Sequence, residues 1–348
     1  MITNLQIRNF RGLKDVTLRE LRQVNLLVGG NDTGKTSVLE AMILLLGNAN
    51  LIKELPFTFR NNQSGGINHQ HDLDDKENFW PWLFYDRNSQ NSIEITGLTD
   101  GGQTLTLSSR IERWGPVDNP QITIILRNLL EKESVKESDV LIRFNPKDVE
   151  VAQDQASPDN FRVSRLSVRP SPPVEDAEKY NQIALEADGE KRFEEIMREV
   201  EPRLKRLRYA KLPNTSSPLV FVDLGLSRAV PATQMGQAFN RLLHIYAEIL
   251  TSRTNVLLID EVENGIFSES LPLIWKGLFA ICQQQNVQIF ATTHSRECIM
   301  AAHQAAEDRK QDELSVQRLQ FVDGNIEAIR LGEKHLEMAA EMGLEVRS

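Results

Sequence analysis

The chain has 348 residues, of which 40% are hydrophobic and 26% charged, and its formal net charge is −9. This is the composition of a globular protein with room for one large or two medium domains. The acidic balance argues against a surface that grips nucleic acid throughout, because phosphate contacts need clustered lysine and arginine. A local basic patch is compatible with this net charge.

The cysteines and the apolar stretches bear on where the protein works. Cys282 and Cys298 lie in or beside apolar segments, so we expect buried thiols rather than a disulfide or a zinc site. No segment approaches the roughly 18 uninterrupted apolar residues of a membrane span. The N-terminus lacks the charged and then apolar order of a signal peptide. We therefore expect a cytoplasmic protein with no membrane contact.

The N-terminal segment predicts strands, a loop and a helix. Near-alternating apolar residues predict a strand at residues 2–10, and an unbroken apolar run predicts a buried strand at 24–28. Residues 29–34 form a loop. A helix is predicted at 36–46, ended by Gly47.

The middle of the chain changes character several times. Residues 51–75 are rich in Asn, Gln, Gly, His and Asp, which predicts a loop insertion. Strands at 93–98 and 105–111 flank a hairpin turn. Residues 131–155 are charged and irregular, and a polar helical stretch follows at 174–200.

The C-terminal third alternates between strands and helices, as in an α/β protein. The predicted elements are strands at 219–222, 256–259 and 287–293, helices at 234–250, 271–284 and 296–306, a hairpin at 319–329 and a last helix at 333–342. We expect three parts: an N-terminal lobe (1–130) with the loop insertion near 51–80, a helical or irregular lid insertion (131–215), and a C-terminal lobe (216–348).

The segment from Gly29 to Thr36 matches G-x-x-x-x-G-K-[ST], the phosphate-binding loop. A buried strand precedes it and a helix follows, so backbone N–H groups and the helix dipole face the phosphates. We expect Lys35 to reach the β- and γ-phosphates and the Thr36 hydroxyl to bind Mg²⁺. The predicted nucleotide-binding residues are Gly29, Asn31, Asp32, Thr33, Gly34, Lys35, Thr36 and Ser37.

A second apolar strand, residues 256–259, ends in Asp260 and Glu261. Open α/β sheets bind ligands at the carboxyl ends of such strands. With the phosphate loop upstream, Asp260 is expected to hold Mg²⁺ and Glu261 to orient and polarise the attacking water. Ordinary solvated acids are the alternative.

His294 follows the next strand, after one intervening helix. We expect it beside the acidic pair and facing the γ-phosphate, where it senses the phosphate and positions the water. The alternative is a structural histidine.

The order of these elements resembles the ABC-type ATPase heads of SMC, RecF and OLD-type (overcoming lysogenisation defect) proteins. The resemblance is carried by the phosphate loop, by Asp260-Glu261, by Thr293-His294-Ser295, by Asn9-Phe10-Arg11-Gly12, and by Glu263-Asn264-Gly265, which looks like a variant found in AAA-type, OLD-like ATPases. It covers residues 1–50 and 200–330. It implies an ABC-type head with a mixed sheet, an antiparallel β subdomain and a helical lid, binding ATP and Mg²⁺.

In that family two heads sandwich two ATP molecules, and a signature loop of one head faces the phosphate loop of the other. Residues 232–237 occupy that place here, and Gly236 matches the family pattern. The resemblance implies a contact from Gly236 to the nucleotide of a partner subunit, with a helix cap by Thr233 as the alternative. The family's Mg²⁺-coordinating glutamine has two unresolved candidates, Gln63 and Gln70. Arg11 is either a nucleotide contact or an exposed arginine at a strand end.

Two other polar segments have a functional and a plain interpretation. His69, His71 and nearby aspartates are either a metal site or, preferably, a solvated loop. The basic residues of 203–211 either contact nucleic acid or form the solvated face of an amphipathic element, which we favour.

The expected function is an ATP-hydrolysing molecular switch that closes as a homodimer or higher oligomer and controls a separate effector protein. The resemblance suggests a setting in bacterial anti-phage defence, and no TOPRIM nuclease domain or long coiled coil is expected. The alternative is a RecF-like DNA-binding ATPase of DNA repair or maintenance. A non-hydrolysing scaffold is disfavoured because Lys35, Asp260, Glu261 and His294 are all present.

Overall fold

The computed structural model describes residues 1–53, 55, 80–88, 90–114, 121–131, 136–145, 148–153, 161–166, 172–211, 217–309, 312–332 and 335. The chain divides into two compact units: Met1–Val163 with Ser315–Ser348, and Ser164–Leu314. Both contain helices and strands, and the predicted α/β class with mixed and antiparallel sheets is confirmed. Within the described ranges, no helix has the length and apolar character needed to cross a membrane.

The first unit is built mainly on antiparallel strands. They are β1 (Ile2–Phe10), β2 (Leu13–Leu18), β3 (Val24–Val28), β4 (Glu94–Thr99), β5 (Thr104–Trp114), β6 (Gln121–Glu131), β7 (Lys136–Asn145) and β8 (Asp148–Gln153). All of these except β3 form one sheet in the order β2-β1-β4-β5-β6-β7-β8, with every neighbouring pair antiparallel. This sheet contains the predicted hairpin between β4 and β5.

Strands β7 and β8 correct the sequence expectation, which was wrong in taking residues 131–155 as irregular. Charged residues interrupt the apolar alternation there. Antiparallel pairing depends on backbone hydrogen bonds, however, and tolerates polar side chains. Whether residues 131–215 act together as a lid stays a prediction.

The phosphate-loop region of the first unit lies between β3 and helix α1 (Lys35–Leu46), which a short helix α2 (Ala49–Lys53) follows. Strand β3 is buried along its whole length and lies next to β15 (Leu314–Val322), which pairs with β16 (Asn325–Leu331) as the predicted hairpin. The predicted last helix, the insertion near 51–80, and with it Gln63, Gln70 and the His69 cluster lie outside the described residues, apart from a few positions at their edges.

The second unit holds the remaining elements. They are β9 (Val163–Leu166), α3 (Pro173–Ala184), α4 (Gly189–Arg198), β10 (Arg206–Ala210), β11 (Leu219–Asp223), β12 (Val230–Pro231), α5 (Gln237–Ser252), β13 (Val256–Ile259), α6 (Leu271–Gln285), β14 (Gln288–Thr292) and α7 (Arg296–Arg309). Strands β10, β11 and β12 form a small antiparallel sheet, and β14, β13 and β9 are neighbours in that order.

Strands β13 and β14 are parallel, with Val256 opposite Gln288 and Ile259 opposite Ala291. Every residue of both strands is buried, as expected of a parallel pair covered on both faces. Because parallel strands end at the same edge of a sheet, the residues after Ile259 lie beside those after Ala291.

The polar helical stretch and the basic segment differ in detail from the sequence prediction. The polar stretch expected as one helix forms α3 and α4, separated by a turn at Asp188 with a φ of 57°. In the basic segment, Leu204 and Leu207 are buried while Arg203 and Arg206 are exposed. This confirms the amphipathic interpretation, although part of the element is the strand β10.

Aromatic side chains join the helices of the second unit. The Phe193 ring of α4 meets Tyr180 of α3 at 5.4 Å and Tyr246 of α5 at 6.4 Å, both edge to face. Such pairs add about 0.5–1.5 kcal/mol each beyond the burial of the rings. Helices α3 and α4 therefore share the core of α5.

The two cysteines are buried thiols outside any disulfide, as predicted. Burial is the main cause that raises the pKa of Cys282 far above its usual value and that of Cys298 to about 12. Both side chains behave as small apolar core residues.

Gly277 sits where α6 packs against α5, and a Cβ there would lie 2.4 Å from Tyr246 Oη and 2.8 Å from a Leu242 methyl. Alanine would gain about 1 kcal/mol of helix propensity. Overpacking costs about 1–3 kcal/mol, and both neighbours are fully buried. We expect Gly277→Ala to lower the free energy of unfolding in urea; equal or higher stability would contradict the described packing.

Candidate functional site

The phosphate loop owes its shape to three residues with positive φ. Gly29 has a φ of 145°, Asp32 of 60° and Gly34 of 87°. Left-handed residues inside a tight turn direct successive N–H groups to one side and form a concave anion-binding nest. Because Gly34 immediately precedes α1, the helix N-terminus adds its partial positive charge to that nest.

Steric contacts explain why glycine is required in the loop. A Cβ on Gly29 would lie 2.3 Å from the carbonyl oxygen of Leu319 in β15. A Cβ on Gly34 would lie 2.6 Å from a methyl group of Leu13 in β2. Only glycine fits both the φ values and these close approaches.

Lys35 extends back over the loop. Its Nζ donates hydrogen bonds to the carbonyl oxygens of Gly29 at 2.9 Å and Gly30 at 2.7 Å. Thr33 Oγ1 donates to the same Gly30 oxygen at 2.9 Å. The ammonium group is thus held against the carbonyl oxygens at the start of the loop.

The other predicted loop residues differ in exposure. Asn31 and Asp32 are exposed, Thr36 is half-buried, and Ser37 is buried in the first turn of α1. Asn31 and Asp32 are therefore open to solvent. Thr36 and Ser37 lie in the first turn of α1, next to the N–H groups that would bind a phosphate.

Arg11 has a role that the sequence did not predict. Its guanidinium pairs with the carboxylate of Glu40 in α1, with Nη2 donating to Oε1 at 3.1 Å and Nε beside Oε2. The side chains are only 7% and 1% exposed, so Arg11 is not the exposed strand-end residue considered as one option. Removing one partner of a buried pair costs about 3–5 kcal/mol. The pair therefore ties the turn after β1 firmly to α1.

In the second unit, Thr292 joins the ends of β13 and β14. Its Oγ1 donates to Asp260 Oδ1 at 2.5 Å and accepts from the backbone N–H of Glu261 at 2.8 Å. Asp260 is 5% exposed and Thr292 1%. The buried hydroxyl thus fixes the carboxylate of Asp260 and the start of the following turn together.

Glu261 begins that turn in a left-handed conformation, with a φ of 47°. Such a conformation costs a non-glycine residue of the order of 1–3 kcal/mol and occurs where the surroundings enforce it. Asn264 Nδ2 donates to Glu261 Oε2 at 3.2 Å, and the Asn264 N–H donates to the Glu261 carbonyl at 2.9 Å. The carboxylate is 41% exposed and held toward solvent.

His294 lies beside two carboxylates. Its Nδ1 is 3.8 Å from Glu261 Oε1 and 3.4 Å from Glu263 Oε1. The backbone N–H groups of His294 and Ser295 also donate to Glu263 Oε1, at 3.0 and 3.2 Å. The sequence pattern included Glu263 only as part of a family motif and did not predict these contacts.

Gly236 is the N-terminal cap residue of α5, with no side-chain cap hydrogen bond. Thr233 lies earlier, in the 3-10 turn Ala232–Gln234, so the alternative of a helix cap by Thr233 is wrong. A Cβ on Gly236 would meet none of the described residues within 4 Å, and both Gly236 and Gln237 are exposed. The first N–H groups of α5 are therefore sterically accessible, and the contact to a partner's nucleotide stays a prediction.

Comparison with known proteins identifies the family. Residues 24–299 match the family described as "AAA domain, putative AbiEii toxin, Type IV TA system". The matched range contains the phosphate loop, the acidic pair and the histidine. The chain belongs to this family of AAA-type ATPases.

Relatives of several kinds are similar to parts or all of the chain. An "ATP/GTP phosphatase" of Helicobacter pylori is 19% identical over 363 residues, which is 89% of each protein. A "DNA replication and repair protein RecF" of Nitrosococcus oceani is 57% identical over 44 residues, 13% of this chain and 12% of that protein. The SMC head domain from Thermotoga maritima is 11% identical, with a TM-score of 0.46 over 95% of this chain and 99% of that one. The narrower OLD-like assignment stays a prediction.

The junction at Thr292 can be tested by removing its hydroxyl. In Thr292→Val, the Asp260 carboxylate and the Glu261 N–H each lose a buried hydrogen bond, which costs about 1–3 kcal/mol. We expect the free energy of unfolding in urea to fall by that amount. Thr292→Ser keeps the hydroxyl and serves as the control. A valine variant at least as stable as the serine variant would contradict the described role.

Proposed function

We propose that the chain binds ATP with Mg²⁺, hydrolyses it, and uses the cycle to close and open a homodimer that controls an effector protein. The observation that carries the proposal is the phosphate-loop nest with the Lys35 ammonium bound to its carbonyl oxygens. In the same chain, the acidic pair and His294 follow two neighbouring parallel strands and lie close together. Membership of an AAA-type ATPase family supports it.

Nucleotide binding follows from the chemistry of the loop. Backbone N–H groups of residues 29–36 and the ammonium of Lys35 hold the β- and γ-phosphates. Thr36 and Asp260 supply the oxygen ligands that Mg²⁺ prefers. Held by these two residues, Mg²⁺ would neutralise phosphate charge. The name of the Helicobacter pylori relative favours nucleoside triphosphates without separating ATP from GTP.

Hydrolysis is assigned to the acidic turn and the histidine. Glu261, held toward solvent by Asn264, orients the attacking water and polarises it. His294 is close enough to Glu261 to position the same water and contact the γ-phosphate. Asn264 and Gly265 belong to the same exposed turn, which suits a surface that meets a second subunit.

Dimer closure is assigned to the N-terminus of α5. The accessible N–H groups at Gly236 can bind the γ-phosphate of a nucleotide held by the partner subunit. ATP would then join two chains, and hydrolysis would release them. The family description mentions a toxin and a type IV TA system, which favours an effector in bacterial defence, including defence against phage.

A RecF-like DNA-binding ATPase is the second candidate. It is favoured by the short RecF match and by the exposed arginines of the basic segment. Two of these arginines lie near acids, however: Arg203 pairs with Glu201 at 2.8 Å, and Arg208 lies 3.8 Å from Asp223. With the net charge of −9, this makes DNA the weaker option.

Activity and assembly can be tested on three purified proteins. We expect the wild-type chain to release phosphate from ATP in the presence of Mg²⁺, and Lys35→Ala to lose nucleotide binding because the phosphate charge is uncompensated. Glu261→Gln should bind ATP, hydrolyse it at least about a hundredfold more slowly, and elute as a dimer in light-scattering chromatography.

Several outcomes separate the candidates. Equal hydrolysis by wild type and Glu261→Gln would contradict the catalytic assignment, and an ATP-bound Glu261→Gln monomer would contradict dimer closure. Strong stimulation of hydrolysis by DNA, lost at high salt, would favour the RecF-like function. A protein that co-purifies with Glu261→Gln from the natural host, but not with Lys35→Ala, would identify the effector.

A further inference from the structure

Glu263 is the third acid of the turn after β13, and the proposed function gives it no role. Its side chain is 11% exposed, compared with 41% for Glu261. A carboxylate with so little access to water is stable only if donors replace its hydration. The contacts of Glu263 therefore show which donors replace the water around its carboxylate.

The first set of contacts is to the backbone. Glu263 Oε1 accepts from the N–H groups of His294 at 3.0 Å and Ser295 at 3.2 Å, the two residues that precede α7. The N–H groups at a helix start carry a partial positive charge and have no partner within the helix. Glu263 satisfies two donors at this end and fixes the backbone from which the histidine projects.

The second contact is to the ring. Nδ1 of His294 is 3.4 Å from Glu263 Oε1, closer than the 3.8 Å to Glu261 Oε1. The other oxygen, Glu263 Oε2, is buried and accepts no hydrogen bond from any described residue. Buried carboxylate oxygens are rarely left without a donor. A hydrogen on Nδ1 of the adjacent ring would face Oε1, the oxygen that also accepts from the two backbone N–H groups, and would add a third donor to this carboxylate.

In a neutral imidazole, one ring nitrogen carries a hydrogen and the other does not. The nitrogen that faces an acceptor carries the hydrogen, and the other nitrogen is then an acceptor itself. We propose that Glu263 is a positioning residue for His294. It anchors the backbone of residues 294 and 295 and holds the hydrogen on Nδ1, which leaves Nε2 of the neutral ring as an acceptor for a hydrogen of the attacking water. The catalytic consequence rests on the proposed ATP hydrolysis, whereas the anchor and the ring hydrogen do not.

Two variants separate the backbone contact from the ring contact. Glu263→Gln keeps an oxygen for the two backbone N–H groups but makes it a neutral amide oxygen, which accepts the ring hydrogen more weakly than a carboxylate does. Glu263→Ala removes both contacts. Glu269→Gln makes the same change of charge at an exposed acid in the same segment and is the matched control.

The structural readouts need no activity. In ¹⁵N-histidine NMR spectra, with the signal assigned by its loss in His294→Ala, we expect a hydrogen on Nδ1 of His294 in the wild type and a smaller Nδ1–H population in Glu263→Gln. Hydrogen exchange of the segment 293–298 should be near wild type in Glu263→Gln and clearly faster in Glu263→Ala. Glu269→Gln should match the wild type in both measurements.

The kinetic readout uses a double-mutant cycle. We expect Glu263→Gln to lower kcat about 10-fold or more with little change in KM, which is the lower end of the range found for partners that orient metal-binding histidines. Combined with His294→Ala, it should cause no further loss, because Glu263 acts through that ring. Glu269→Gln should retain wild-type activity.

The inference is overturned if Nδ1 of His294 carries no hydrogen in the wild type, or if Glu263→Gln leaves the ring signal unchanged. Multiplicative losses in the double variant would also overturn it. A wild-type protein without ATP hydrolysis would instead remove the proposed function, while the NMR and exchange results would still decide whether Glu263 anchors His294.

Discussion

The Thr292 hydroxyl is the junction on which the candidate chemistry of the second unit depends. The parallel pairing of β13 and β14 brings Asp260 level with Thr292, and the hydroxyl then binds Asp260 and the N–H of Glu261 at once. The left-handed turn at Glu261 follows from that constraint. In this turn the Glu261 side chain faces solvent, and the Glu263 side chain reaches the start of α7. His294 therefore lies beside both carboxylates.

The phosphate loop is shaped by a different kind of constraint. Its geometry comes from backbone conformation and close contacts, since β-carbons on Gly29 and Gly34 would collide with β15 and β2. The buried Arg11–Glu40 pair then fastens α1 to the turn after β1. Anion binding needs such a preformed loop, because N–H groups already aligned require no reordering when a phosphate arrives.

The sequence predicted the features that local pattern specifies. The phosphate loop, the apolar strand before Asp260 and the helix–strand order that brings in His294 are all short-range signals, and the structure contains each element. The sequence did not predict contacts between residues distant in the chain, such as Arg11 with Glu40 or Glu263 with the backbone of His294. Strands β7 and β8 were missed because charges break their apolar alternation, whereas their pairing with neighbouring strands is made by backbone hydrogen bonds.

The proposed function requires the phosphate loop and the carboxylate of Asp260 to bind the same Mg²⁺–ATP complex. The most direct test is the affinity for Mn²⁺ in the presence of ATP, measured by the electron paramagnetic resonance of the free ion in Glu261→Gln protein. Thr36 and Asp260 are the expected oxygen ligands, so adding Thr36→Ala or Asp260→Asn should each weaken Mn²⁺ binding about tenfold or more. Unchanged Mn²⁺ affinity in a folded Asp260→Asn variant would show that Asp260 does not bind the ion.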